Sequence, residues 1–148
     1  MKLIILTTLA TLLLSKGEEK SVKLEFIVVV SDFSCKACHK DILNLYDSVK
    51  QENRTALNVY YITHESLSIN IKNNTEELAK IYRRRPGEVV VLRPEVFLQQ
   101  FPLSQEDLSR SPFILLKNKE STLVICQKDL TMDGETERII KEIKDFYK

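Results

Sequence analysis

Tryptophan is absent from the 148 residues, glycine occurs three times, and histidine occurs twice. Each scarcity closes a class of function. So few glycines build no phosphate-cradling loop of the nucleotide-binding kind. Basic and acidic residues nearly cancel, 22 against 21, and a net charge of +1 supplies no field strong enough to hold nucleic acid. A tetrahedral zinc site has no second Cys-x-x-Cys or histidine pair to draw on. Beyond Cys35 and Cys38, only Cys126, His39 and His64 remain, and they lack ligand spacing. No internal repeat or low-complexity tract interrupts the chain. Its length suits one domain with a real core, and 43% hydrophobic with 29% charged residues is a globular composition.

Long apolar runs are also missing, with one exception. Leu3 to Leu14 is unbroken apolar residues and threonine behind Met1-Lys2, and Ser15-Lys16-Gly17-Glu18-Glu19 follows. A spanning helix needs about 20 apolar residues, so this run has the length of a secretory signal peptide. Residues 1–17 are expected to be that signal and residues 22–148 the folded domain. Cys35 lies well past the run, which leaves no lipid-modified cysteine at the cleavage point. Export matters because cysteine pairs oxidise readily outside the cytosol.

Periodicity orders the rest. Leu24 to Val30 is apolar and β-branched apart from Glu25, the pattern of a buried strand. Cys38, Ile42, Leu45 and Val49 then recur at helical spacing, predicting an amphipathic helix that ends near Glu52 with Cys38 facing the core. Ala56 to Thr63 has strand composition. His64 to Asn73 has no clean period. Asn74 and Glu77 form a capping-box pattern before a helix that Pro86-Gly87 stops. Val89 to Leu92 reads as a short strand, Pro94 to Gln100 as a turn or two of helix, and 102–110 as loop. Phe113 to Leu116 and Thr122 to Cys126 flank a polar turn and predict a hairpin; Ile139, Ile140, Ile143, Phe146 and Tyr147 mark a last helix. The expected class is α/β with a mixed sheet.

The chemistry concentrates in Cys35-Lys36-Ala37-Cys38-His39. Cys35 stands at the strand-to-helix junction, where unpaired backbone N–H groups and the helix dipole favour a thiolate, and Lys36 adds a positive charge. That arrangement predicts an attacking thiol at Cys35 and a resolving thiol at Cys38. The string also matches the haem-attachment signature, with His39 as proximal ligand and His64 or Met132 as sixth. A β-branched strand before the motif and alternating strands and helices argue against haem, since small cytochromes of this type are helical. His39 either stabilises a thiolate and shuttles a proton or is a half-exposed helix histidine without a role.

Leu24 to Glu52, with its cysteines at the start of a helix, resembles the active-site segment of the thioredoxin-like superfamily, in particular the exported bacterial thiol–disulfide oxidoreductases. Ser111-Pro112 before Phe113 resembles that family's cis-proline, which faces the dithiol and shapes the groove for a substrate cysteine. The resemblance implies a compact thioredoxin-like fold, a central mixed sheet flanked by helices with a C-terminal β-hairpin and helix, over about residues 22–148. It implies catalytic Cys35 and Cys38, groove residues Ser111 and Pro112, and auxiliary Lys36 and His39. Protein thiols or disulfides and an upstream redox partner would be the partners, in an extracytoplasmic, periplasmic setting, with no cofactor, metal, nucleic acid or stable membrane insertion. The family often has an aromatic residue before the first cysteine, where this chain has Ser34, and an acid in the preceding strand, where it has Val29. Proton removal from Cys38 then falls to water, Glu25, Asp32 or His39. A thioredoxin-fold binding module with a structural disulfide is the competing class.

Other features have plainer readings. Cys126 reads as a buried core thiol, and intermolecular pairing stays open. Arg83-Arg84-Arg85 suits a solvated helix C-terminus, and the tyrosines at 46, 60, 61 and 82 suit the core. Asn53-Arg54-Thr55 and Asn73-Asn74-Thr75 match the glycosylation acceptor pattern. If the N-terminal run is a signal, sequencing of the native protein returns a mature start between Ser15 and Lys20; an intact Met1 on cytosolic material refutes export.

Overall fold

The computed structural model describes residues 24–31, 36–50, 55–118, 120–132 and 134–146, with only the backbone of Lys36. The proposed signal, Asp32 to Cys35, and Asn53 lie outside the described residues.

β1 (Leu24–Val30) leads into α1 (Lys36–Lys50), β2 (Thr55–Ile62) and α2 (Ser68–Ile81). A 3-10 turn at Pro86–Glu88 precedes β3 (Val89–Leu92), α3 (Pro94–Gln100) and the single-turn α4 (Gln105–Leu108). β4 (Phe113–Lys117), β5 (Thr122–Cys126), a second 3-10 turn (Gln127–Thr131) and α5 (Glu135–Phe146) complete the order. The sheet runs β3-β2-β1-β4-β5. β1 pairs parallel with β2 and β2 with β3, while β4 runs antiparallel to both β1 and β5. This mixed five-stranded sheet, with its C-terminal hairpin and helix, is the compact thioredoxin-like α/β fold expected.

β1 carries apolar side chains at nearly every position because both its faces are covered. Phe26, Val28 and Val30 pack with Ile42, Leu45 and Val49 of α1, Leu78, Ala79 and Tyr82 around α2, and Ile139 and Ile143 of α5. Ile27 and Val29 face the other way, onto Phe97, Phe101, Leu108, Phe113 and Leu115. Period-2 alternation thus serves two cores at once, which is why the strand reads as continuously apolar.

The chain departs locally from its sequence pattern in three places. Asn74 is no N-cap: α2 begins six residues earlier at Ser68, and the Asn74 amide donates to the Tyr61 hydroxyl at 2.7 Å. N-cap Leu67 has no side-chain cap, and just before the helix the Glu65 carboxylate accepts from the N–H groups of Ser66 and Leu67 and from the Asn70 side-chain amide, each at 3.0 Å. These bonds hold the Glu65 carboxyl below its usual range, the Leu67 N–H contributing most. The same helix ends at Ile81, before Pro86-Gly87. Arg83 adopts φ 53°, and the Arg84 N–H turns back to the Ala79 carbonyl at 2.7 Å. The 102–110 segment holds the turn of α4, opened by a Ser104/Asp107 capping box.

Phe97 is fully buried, 4.8 Å from the Phe101 ring and 6.2 Å from Tyr60. It anchors the short α3 on the second face of the sheet. Phe97→Ala is expected to cost about 3–5 kcal/mol, read as a lower urea midpoint at unchanged slope; a loss below about 1 kcal/mol would refute this packing.

Candidate functional site

α1 starts where β1 leaves the sheet, so the first turn of this helix sits at the C-terminal end of the central strand. Cys38 occupies that turn, half-buried and disulfide-bonded. Cys35 and the Lys36 side chain lie outside the described residues.

The burial stripe of α1 differs from the one the spacing predicts. The fully buried positions are His39, Ile42, Leu45 and Val49. His39 is therefore neither off the stripe nor half-exposed, and Cys38 flanks the stripe instead of pointing along it. The physical reason is Tyr82. Its hydroxyl lies 2.6 Å from His39 Nδ1, with the rings edge-on at 85° and both residues almost wholly buried. A polar imidazole tolerates such burial because it has this partner. Burial lowers the His39 pKa, opposed by the charge of Glu77, and burial also pushes the Tyr82 hydroxyl well above its ordinary range. The pair is thus neutral at pH 7, whichever atom of the two donates.

The Pro112 loop is stitched to the same strand end. Val29 stands opposite Phe113, and continuing that register sets Val30 level with Pro112 and Ser31 with Ser111. The Ser31 N–H donates to Ser111 Oγ at 2.6 Å, and Ser31 Oγ donates to the Leu108 carbonyl at 2.8 Å. Ser111-Pro112 is a cis peptide. The structure therefore brings Ser111, Pro112 and the helix turn of Cys38 and His39 to one end of the sheet. Ser31, Leu108 and Tyr82 were not singled out as site residues from sequence. Ser31 has no motif around it, and Tyr82 reads only as a core aromatic.

One proton-handling candidate changes standing. Glu25 lies five residues before Val30 in an extended strand, about 17 Å from its exit. It cannot reach Cys38. Val29, in the same strand, is fully buried among Ile27, Phe97 and Phe113. Cys126 is a free thiol and only half-buried, opposite Phe113 at the end of β5. The next residue, Gln127, donates from Nε2 to Asp41 of α1 at 3.3 Å. His64 sits apart, exposed and 3.9 Å from Glu95. Among the described residues no cluster of His, Cys, Asp and Glu is placed to hold a metal, and no helix is long and apolar enough to cross a membrane.

No protein-family model matches the chain, and neither a curated protein nor a solved structure matches it.

Because the folded pKa of His39 lies below its unfolded value, the unfolded chain takes up this proton first as pH falls. Stability is then expected to decline from about pH 6.5 downward, by at most about 1.4 kcal/mol per pH unit. The depressed carboxyls of Asp47, Glu65 and Asp107 withdraw their contributions only below about pH 4.5, so the windows separate. Thermal midpoints between pH 7.5 and 5 should fall in the wild type and flatten in His39→Gln; equal slopes would refute the buried neutral imidazole.

Proposed function

We propose that this chain is an exported thiol–disulfide oxidoreductase working through Cys35 and Cys38. The observation that carries the reading is the disulfide of Cys38 in the first turn of α1, at the sheet end where Ser31 holds the Ser111-Pro112 loop. The partner of Cys38 in this reading is Cys35, since Cys126 is free.

In the reducing direction the Cys35 thiolate, favoured by the helix N-terminus, attacks one sulfur of a partner disulfide. One partner thiolate leaves and takes a proton, and a mixed disulfide joins Cys35 to the other partner sulfur. Cys38 loses its proton and attacks the Cys35 sulfur, releasing the second partner thiol. The partner disulfide is reduced to two thiols as the Cys35/Cys38 dithiol becomes a disulfide; run backwards, the same steps oxidise a partner dithiol. Pro112 and Ser111 form the groove for the partner cysteine. Lys36 adds positive charge near the thiolate, and the chemistry needs no cofactor. Substrates are protein thiols or disulfides in an extracytoplasmic, periplasmic compartment, and a further redox partner resets the pair.

One observation favours a second reading. Full burial of the apolar Val29 leaves no strand acid to take the Cys38 proton, which suits a thioredoxin-fold binding module with a fixed disulfide. The haem reading loses support from His39, whose imidazole is 1% exposed and hydrogen-bonded to Tyr82, where an axial ligand needs an open face.

Cys38→Ser is expected to trap partners as mixed disulfides that reductant releases, Cys35→Ser to trap none, and Cys126→Ser to leave turnover nearly unchanged, all read on non-reducing gels. Titration of the wild-type pair against glutathione separates the classes. A potential of about −120 to −270 mV marks a catalytic pair, whereas one below about −300 mV marks a structural disulfide.

A further inference from the structure

The outer strand β3 has hydrogen-bonding groups and side chains arranged for pairing with itself. Among the described residues it is the sheet's edge, joined only to β2. Its sequence, Val89-Val90-Val91-Leu92, contains no charge or proline of the kind that blunts edges. Val90 is 39% and Val91 37% exposed, and Val96 of the following helix, 40% exposed, widens the apolar strip.

Backbone directions fix what this edge can bind. The Leu92 carbonyl accepts from the Thr63 N–H at 3.0 Å, so Leu92 turns its backbone groups toward β2. In a parallel ladder alternate residues face the same neighbour. Val90 therefore also faces β2, while Val89, Val91 and Arg93 face outward. Two of the outward groups are engaged: the Val89 N–H turns back to the Pro86 carbonyl, and the Arg93 carbonyl accepts from the Phe97 N–H at 3.0 Å. Among the described residues, what remains is the Val89 carbonyl, the Val91 N–H and carbonyl, and the Arg93 N–H.

We infer that β3 pairs antiparallel with β3 of a second copy of this chain, about a two-fold axis at Val91. In that register the two Val91 residues exchange N–H and carbonyl bonds, and each Arg93 N–H meets the Val89 carbonyl of the other copy. Every available group is used. The two engaged groups, Val89 N–H and Arg93 carbonyl, would have been each other's partners, so their loss leaves nothing unmatched. Moving the axis to Val90 sets each Val91 carbonyl against an engaged Val89 N–H. A continuous extended peptide would leave groups of its own opposite the engaged ones, which is why the second copy is the better occupant.

Side chains and charge agree with this register. Val91 lies beside Val91 of the second copy on one face of the joined sheet, and Val90 beside Leu92 on the other. Exposed Glu88 precedes the strand and exposed Arg93 follows it. Antiparallel pairing brings the Glu88 end of each strand near the Arg93 end of the other, with the two side chains on opposite faces of the joined sheet. Four residues bury less than the roughly 1,200 Å² of a stable interface, so the dimer forms reversibly with concentration.

Sedimentation equilibrium of the full chain over a range of concentrations tests this. Twice the monomer mass at high concentration, falling on dilution, is expected. Val91→Pro removes the outward N–H and spares the ladder to β2, whose bonds come from Val90 and Leu92. Val91→Lys keeps the backbone and sets like charges together at the axis. Each should weaken association at least about tenfold with circular dichroism unchanged. Hydrogen exchange at Val91 and Arg93 should slow as concentration rises. A wild type monomeric throughout overturns the proposal, as does a dimer that survives Val91→Lys. Concentration-independent protection of the Val91 amide would give the edge to a segment of the chain itself and overturn it equally.

Discussion

β1 lies between a parallel and an antiparallel neighbour and is covered on both faces, and each element at the Cys38 end of the sheet is registered against it. β2 fixes its height on one side and β4 on the other. Ser31, the first residue past the strand, then uses both its N–H and its hydroxyl to hold the segment from Leu108 to Ser111. Because neighbouring strands lie about 4.8 Å apart, this anchorage holds Ser111 and Pro112 beside the end of β1. A buried strand with no slack transmits position, and a proposed thiol site requires position more than flexibility.

The orientation of α1 depends on a polar contact inside an apolar layer. Ile42, Leu45 and Val49 line the same stripe in the expected and the observed helix, and the choice left open is whether Cys38 or His39 completes it in the first turn. The Tyr82 hydroxyl resolves the choice in favour of His39, since an imidazole buried without a partner would be costly and one bonded at 2.6 Å is not. Cys38 is left half-buried as a consequence. It stands next in sequence to a buried, neutral imidazole, and the facing part of β1 is apolar. In the proposed exchange, water, Asp32 or His39 receives its proton.

The opposite edge of the sheet is organised on another principle. β3 enters from a 3-10 turn and leaves into α3, and both junctions engage backbone groups that a longer strand would present at its edge. The result is a short edge with a symmetric set of remaining groups. Such an edge distinguishes its own copy from an arbitrary extended chain, which a long uniform edge does not.

Much of the architecture was legible in the chain itself. The unbroken apolar β1, the helical period from Ile42 to Val49, the hairpin around the polar turn after Lys117 and the terminal helix all follow from side-chain periodicity, which is local. The expected helix start put Cys38 in the first turn of α1, and Ser111-Pro112 directly precedes β4. What periodicity could not decide was every choice between locally equivalent options. α2 starts at Ser68, where Glu65 holds the entering chain through the Leu67 N–H and the Asn70 side chain, and the Asn74 amide goes to Tyr61. The exclusion of Glu25 required knowing that β1 is fully extended, and the roles of Ser31 and Tyr82 required partners 80 and 43 positions away. Sequence determined which faces are apolar; tertiary structure decided which polar atoms meet. Burial is a property that residues carry with them, whereas a hydrogen bond exists only once the fold has brought its two ends together.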